Sequence, residues 1–178
     1  METPEVETNA PEQKTPEQKQ QLVTNLGNLL HEEWRAPRKK EDGSFEPRIK
    51  VLMQHSDGKQ KWYNESDSKI PPDAQEIERQ DIANTKFEDL HANWQADNRV
   101  AAEVAMGTVF EAVESGLSLS DPAFLEEASA IVHEYWLKRN GWQATEIQKQ
   151  PYTQLPKEEK EKDRVQVRKA IEIFESSK

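Results

Sequence analysis

A chain of 178 residues has room for one domain or two small ones. Its formal net charge of -10, from 34 acidic and 24 basic side chains, argues against a protein that holds nucleic acid by neutralising phosphates. The sequence has no Cys, which excludes disulfides, thiolate zinc sites and cysteine nucleophiles. No apolar run approaches the roughly 18 residues of a membrane span, so a cytoplasmic protein with no membrane partner is expected.

Residues 1–14 are rich in Pro, Glu, Thr and Gln and carry almost nothing to bury, which predicts a disordered leader. Thr15-Pro16-Glu17-Gln18 fits a capping box and opens a first helix. Leu22, Leu26, Leu29, Leu30 and Trp34 make one stripe along it, and Pro37 closes it. In the irregular stretch that follows, Ile49, Val51 and Met53 alternate, Asp57-Gly58 offers a tight turn, and Trp62-Tyr63 comes next. This predicts a small β-hairpin, with Pro71-Pro72 in a loop beyond it. A second helix is expected from about Asn93 to Glu114, its face supplied by Val100, Val104, Val109, Phe110 and Val113, with Gly116 as its stop. Asp121-Pro122 starts a third, apolar along Phe124, Leu125, Ala128, Ile131, Val132 and Trp136, which ends at Asn140-Gly141. The fourth begins near Pro156 and buries Val167, Ala170, Ile171 and Phe174.

An internal likeness runs through this pattern. The first helix ends His31-Glu32-Glu33-Trp34 and the third His133-Glu134-Tyr135-Trp136. Phe87-x-x-Leu90 and Tyr152-x-x-Leu155 each precede a helix, and Asn98-Arg99-Val100 then sits against Asp163-Arg164-Val165. The spacing from Trp to aromatic is longer by 37 residues in the first half, which holds the hairpin. The expected fold is therefore mainly α: two pseudo-symmetric helix–loop–helix repeats, over 15–116 and 117–178, with a small β-hairpin inserted in the first.

Within the second half, Trp136, Arg139, Gly141-Trp142, Pro151-Tyr152, Leu155-Pro156, Glu158 with Lys160, and Asp163-Arg164 resemble the RyR domain. This is the tandem repeat named for ryanodine receptors and also found in bacterial and phage proteins. The likeness covers roughly residues 121–175. The first half shares Trp34, Phe87, Leu90 and Arg99 but lacks the Gly-Trp and Pro-Tyr pairs. The resemblance implies paired repeats about a pseudo-twofold axis, with a purine nucleotide taken up in a cleft lined by the two tryptophans. It also implies no established catalytic activity.

Trp34 and Trp136 are accordingly the leading candidates for ligand contact, with Arg35, Arg38, Arg139 and Trp142 beside them. An indole at a helix end can stack a base, although either Trp could equally anchor its helix to the core. The segment 35–50 carries six basic residues against Glu41, Asp42 and Glu46, which suits a phosphate or, alternatively, a solvated hairpin edge. Neither His31-Glu32 nor His133-Glu134 completes HExxH, so no metal is expected, and each His is expected to hydrogen-bond internally. With no nucleophile motif and no glycine-rich phosphate loop, the residues point to a non-enzymatic binding module without a cofactor. Its partner would be a purine nucleotide or related small molecule, or alternatively a protein.

Overall fold

The computed structural model describes residues 13–141 and 144–178. Four helices carry the fold: α1 (Pro16–Arg35), α2 (Ala92–Glu114), α3 (Pro122–Asn140) and α4 (Lys157–Ser176). Between α1 and α2 lie three strands, β1 (Ile49–Gln54), β2 (Gln60–Asn64) and β3 (Gln75–Asp81), in an antiparallel sheet of order β2-β1-β3. Helix makes up 55% of the structure and strand 12%, so the mainly α fold of two helix–loop–helix repeats expected from the sequence is corrected to an α+β fold. The leader expected over residues 1–14 lies outside the described residues as far as residue 12. Lys14 already sits over the Phe174 ring, 5.3 Å from its centroid.

Local chemistry starts and stops the helices. Thr15 Oγ1 accepts from the Gln18 amide at 3.2 Å and the Gln18 side chain accepts from the Thr15 amide at 2.8 Å, closing the capping box. Asp121 caps α3 through the Ala123 amide at 2.9 Å. At the end of α2 the Leu117 amide reaches back to the Ala112 carbonyl and the Gly116 amide to that of Val113. That wrap needs Gly116 at φ +73°, where a Cβ would be strained.

All four helices share one apolar core. Leu26, Ala102, Ala105, Met106, Val109, Val167 and Ala170 are fully buried, with Leu22, Phe124, Val132 and Phe174 around them. Gly27 lets the Phe87 ring lie against α1, since a Cβ there would stand 3.2 Å from it. Val100 and Ile131, expected in the core, are exposed. The sheet has its own small cluster of Val51, Met53 and Tyr63.

The hairpin expectation holds for β1 and β2, which pair Val51 with Tyr63 and Leu52 with Trp62. Its turn uses Gly58 at φ +84°. The third strand, β3, pairs with the other edge of β1 and was not expected. Its sequence, QEIERQD, has one apolar residue, and Ile77 is exposed, so no alternation marks it. Leu26→Ala is expected to lower the unfolding free energy by about 2–5 kcal/mol through the lost packing and the cavity left behind. Ile77→Ala should stay within about 0.5 kcal/mol of the parent. Urea denaturation followed by circular dichroism compares the two.

Candidate functional site

The ends of α1 and α3 are built alike. Residues three apart share a helix face, so the imidazole of His31 lies beside Trp34 and that of His133 beside Trp136. The ring pairs are near-parallel, with centroids 5.8 Å and 6.3 Å apart. Both histidines are buried. His31 Nε2 meets the Thr85 carbonyl at 2.7 Å and His133 Nε2 meets the Gln150 carbonyl at 2.9 Å. A carbonyl can only accept, so each Nε2 carries a proton and ties its helix to the loop leading into the next one. The histidines are thus the internal donors expected of them. Neither tryptophan is lost in the core: Trp34 is 37% exposed and Trp136 half-buried.

Both indoles line one cleft of about 980 Å³. Its floor comes from the N-terminal halves of α2 and α4, including Ala101 and Gln166, and one wall from the sheet through Arg48 and Lys50. Arg38 and Arg139 also line it. The Arg38 guanidinium lies over the Trp34 ring at 4.6 Å, within cation–π range. Lys50 donates to Asn64 Oδ1 at 2.6 Å and lies over the Trp94 ring at 5.4 Å. Its burial, with Arg48 nearby, holds its ammonium below the ordinary lysine pKa. Arg139 is half-buried with Nη1 lacking a hydrogen-bond partner, and burial lowers its pKa against the opposing pull of Asp97.

Among the described residues, no carboxylate lies within 4.0 Å of the side-chain nitrogens of Arg38, Arg48, Lys50 or Arg139. Several acidic groups of the cleft are already paired: Glu159 with Lys162 at 2.9 Å, Glu33 with Lys169 at 3.4 Å, and Asp163 with His133 at 3.3 Å. What is left over is positive, with Asp97 as its counterweight. Such a cavity can stack a flat ring and hold an anion.

Arg35 is a correction. Four residues beyond His31 it turns inward, is buried, lies 4.0 Å over the Phe45 ring and donates to the Thr85 carbonyl at 3.2 Å. It braces the loop and does not line the cleft. Trp142 lies outside the described residues. Trp94, Asp97 and Gln166 were missed as cleft residues; only the position of Trp94, three after His91 at a helix start, could have drawn attention to it. Among the described residues no cluster of three or more His, Cys, Asp or Glu could hold a metal ion, and no helix is long and apolar enough to cross a membrane. Comparison with protein-family models, curated proteins and solved structures gives no match.

Burial pushes the Asp163 carboxyl up from 3.8 to about 6, with the His133 charge opposing. A carboxyl raised on folding binds more protons in the native state, so its stabilising contribution is full below 3.8 and is lost as pH rises through about 6. Other carboxylates, such as Glu126 beside Arg164, are held low and give the opposite slope. The readout is therefore the difference between the parent and Asp163→Asn. The parent should lose melting temperature relative to the variant between pH 4 and pH 7, measured by scanning calorimetry, whereas a flat difference would contradict the shift.

Proposed function

We propose that the cleft binds a purine nucleotide or a closely similar planar anion, holding it without turning it over, in the cytoplasm. The observation that carries this reading is the meeting of Trp34, Trp136, Arg38 and Arg139 in one cavity. The indoles offer faces to a base, and the unpaired cations offer charge to a phosphate. Within a chain of net charge -10, the gathering of Arg38, Arg48, Lys50 and Arg139 around one cavity is a local excess of positive charge that favours an anionic ligand. The resemblance to the RyR domain supports the same ligand class. A protein partner is the second reading, favoured by Ile131 and Tyr135, which are exposed one helical turn apart on α3.

Thermal-shift and intrinsic-fluorescence titrations with adenosine, AMP and ATP test the proposal. A ligand at 100 times its Kd adds about 2.7 kcal/mol to the stability, an easily read shift. Phosphorylated ligands should stabilise more than adenosine, and added salt should weaken them. Trp136→Ala should weaken AMP roughly 5- to 150-fold, the equivalent of about 1–3 kcal/mol of stacking. Arg139→Ala should weaken AMP while leaving adenosine nearly unchanged. No shift with any of the three ligands would overturn the nucleotide reading in favour of a protein partner.

A further inference from the structure

Four carboxylates line the cleft, and one of them is placed differently from the rest. On α4, Glu159 is paired with Lys162 at 2.9 Å and Asp163 with His133 at 3.3 Å. Glu33 of α1 is paired with Lys169 at 3.4 Å. Asp97 of α2 is exposed, and among the described residues no basic group lies within 4.0 Å of it and nothing donates a hydrogen bond to it. Its pull on Arg139 is felt without contact.

A lone carboxylate works against a site for an anion. Phosphate oxygens repel it and have no hydrogen to give it, so it lowers affinity unless the ligand brings a donor. That donor must belong to the uncharged part of the ligand. Spacings of three and four put Trp94, Asp97 and Ala101 on one face of α2, and all three line the cleft. An indole one turn before the carboxylate and a methyl group one turn after it frame it with apolar surface. A polar group set between apolar walls is how a pocket orients a flat ring by its edge. On a purine edge the exocyclic amine donates, whereas carbonyl oxygens and unprotonated ring nitrogens only accept.

We infer that Asp97 is a specificity-determining residue of the cleft, its carboxylate accepting a hydrogen bond from the exocyclic amine of an aminopurine base. The inference rests on the nucleotide reading above and narrows it to adenine or guanine. The two bases share this chemistry, and the arms of the test tell them apart.

Isothermal titration calorimetry of the full chain compares AMP, GMP and purine riboside 5′-monophosphate, which has the same phosphate but no amine. At least one of AMP and GMP should bind roughly 10- to 150-fold more tightly than the amine-free ligand, as for a hydrogen bond to a charged group. The tighter of the two identifies the amine. Asp97→Ala should abolish that advantage while the amine-free ligand binds several-fold more tightly, because a negative charge has left the cleft. These opposite signs separate a carboxylate that reads the base from a mere counter-charge to Arg139. Asp97→Asn, which keeps an acceptor oxygen, should retain part of the preference. Equal binding of all three ligands, or a gain for all three in Asp97→Ala, would overturn the inference and leave the nucleotide reading standing. So would a 2′-deoxy form of the preferred nucleotide as weak as the amine-free ligand, since the carboxylate would then be reading the ribose. No binding by any probe would overturn both.

Discussion

The packing of α2 against α4 is the constraint on which the remaining structure depends. Ala102, Ala105 and Ala112 of α2 and Ala170 of α4 are buried, with Met106, Val109 and Val167 filling the space among them. Small side chains let two helices sit close, and dense packing leaves little freedom to shift them. α1 and α3 must then lie on the flanks of that pair, each covering the apolar groove on its own side. The buried residues of α2 begin at Ala102 and those of α4, apart from Asp163, at Val167, so the earlier turns of both helices stand outside the apolar core. Where those polar turns meet the C-terminal ends of α1 and α3, apolar side chains are not there to close the gap. The cleft is what remains.

Its shape is then held by polar ties. The imidazoles of His31 and His133 each fasten a helix end to a loop carbonyl, which fixes the indole one turn later. On the α3–α4 side Arg164 donates to Glu126 at 2.7 Å, and Tyr152 donates to the same carboxylate at 2.8 Å. Helix α3, helix α4 and the turn at Tyr152 are thereby joined around one acidic group. On the other side the sheet replaces that tie: Asn84 spans from Asp81 to the Phe45 backbone, and Arg35 lies under Phe45. The sheet thus also carries Arg48 and Lys50 to the cleft.

Much of this was legible because it is local. Capping at Thr15 and Asp121, the stop at Gly116 and the turn at Gly58 each depend on a few adjacent residues whose chemistry allows one main solution. The pairing of Trp34 with Trp136 was legible from the repeated His-Glu-x-Trp, since a spacing of three fixes which side chains share a helix face. β3 was not legible, because an edge strand polar on both faces is held by backbone hydrogen bonds to β1 and leaves no apolar period to read. Arg35 was read by its charge when its spacing decided the matter: four residues after a buried histidine, it points the same way. Trp94, Asp97 and Gln166 reach the cleft only through the packing of α2 and α4, which no short motif encodes.

The charge of the cleft includes one buried pair. An ionised Asp163 alone would repel an anion and would be costly to bury, and burial does push its carboxyl upward. His133 has a protonated Nε2 on the Gln150 carbonyl and presents Nδ1 to Asp163. His31 has a carbonyl partner at Thr85, and Asn98 stands in the sequence where α4 has Asp163. The α1 side therefore has no carboxylate at this place. Asp97 and Asp163 together stand against Arg38, Arg48, Lys50 and Arg139, so the cleft of an acidic protein keeps a positive interior. Distant carboxylates change this little, because charges separated by more than about 8 Å across solvent are largely screened at physiological ionic strength.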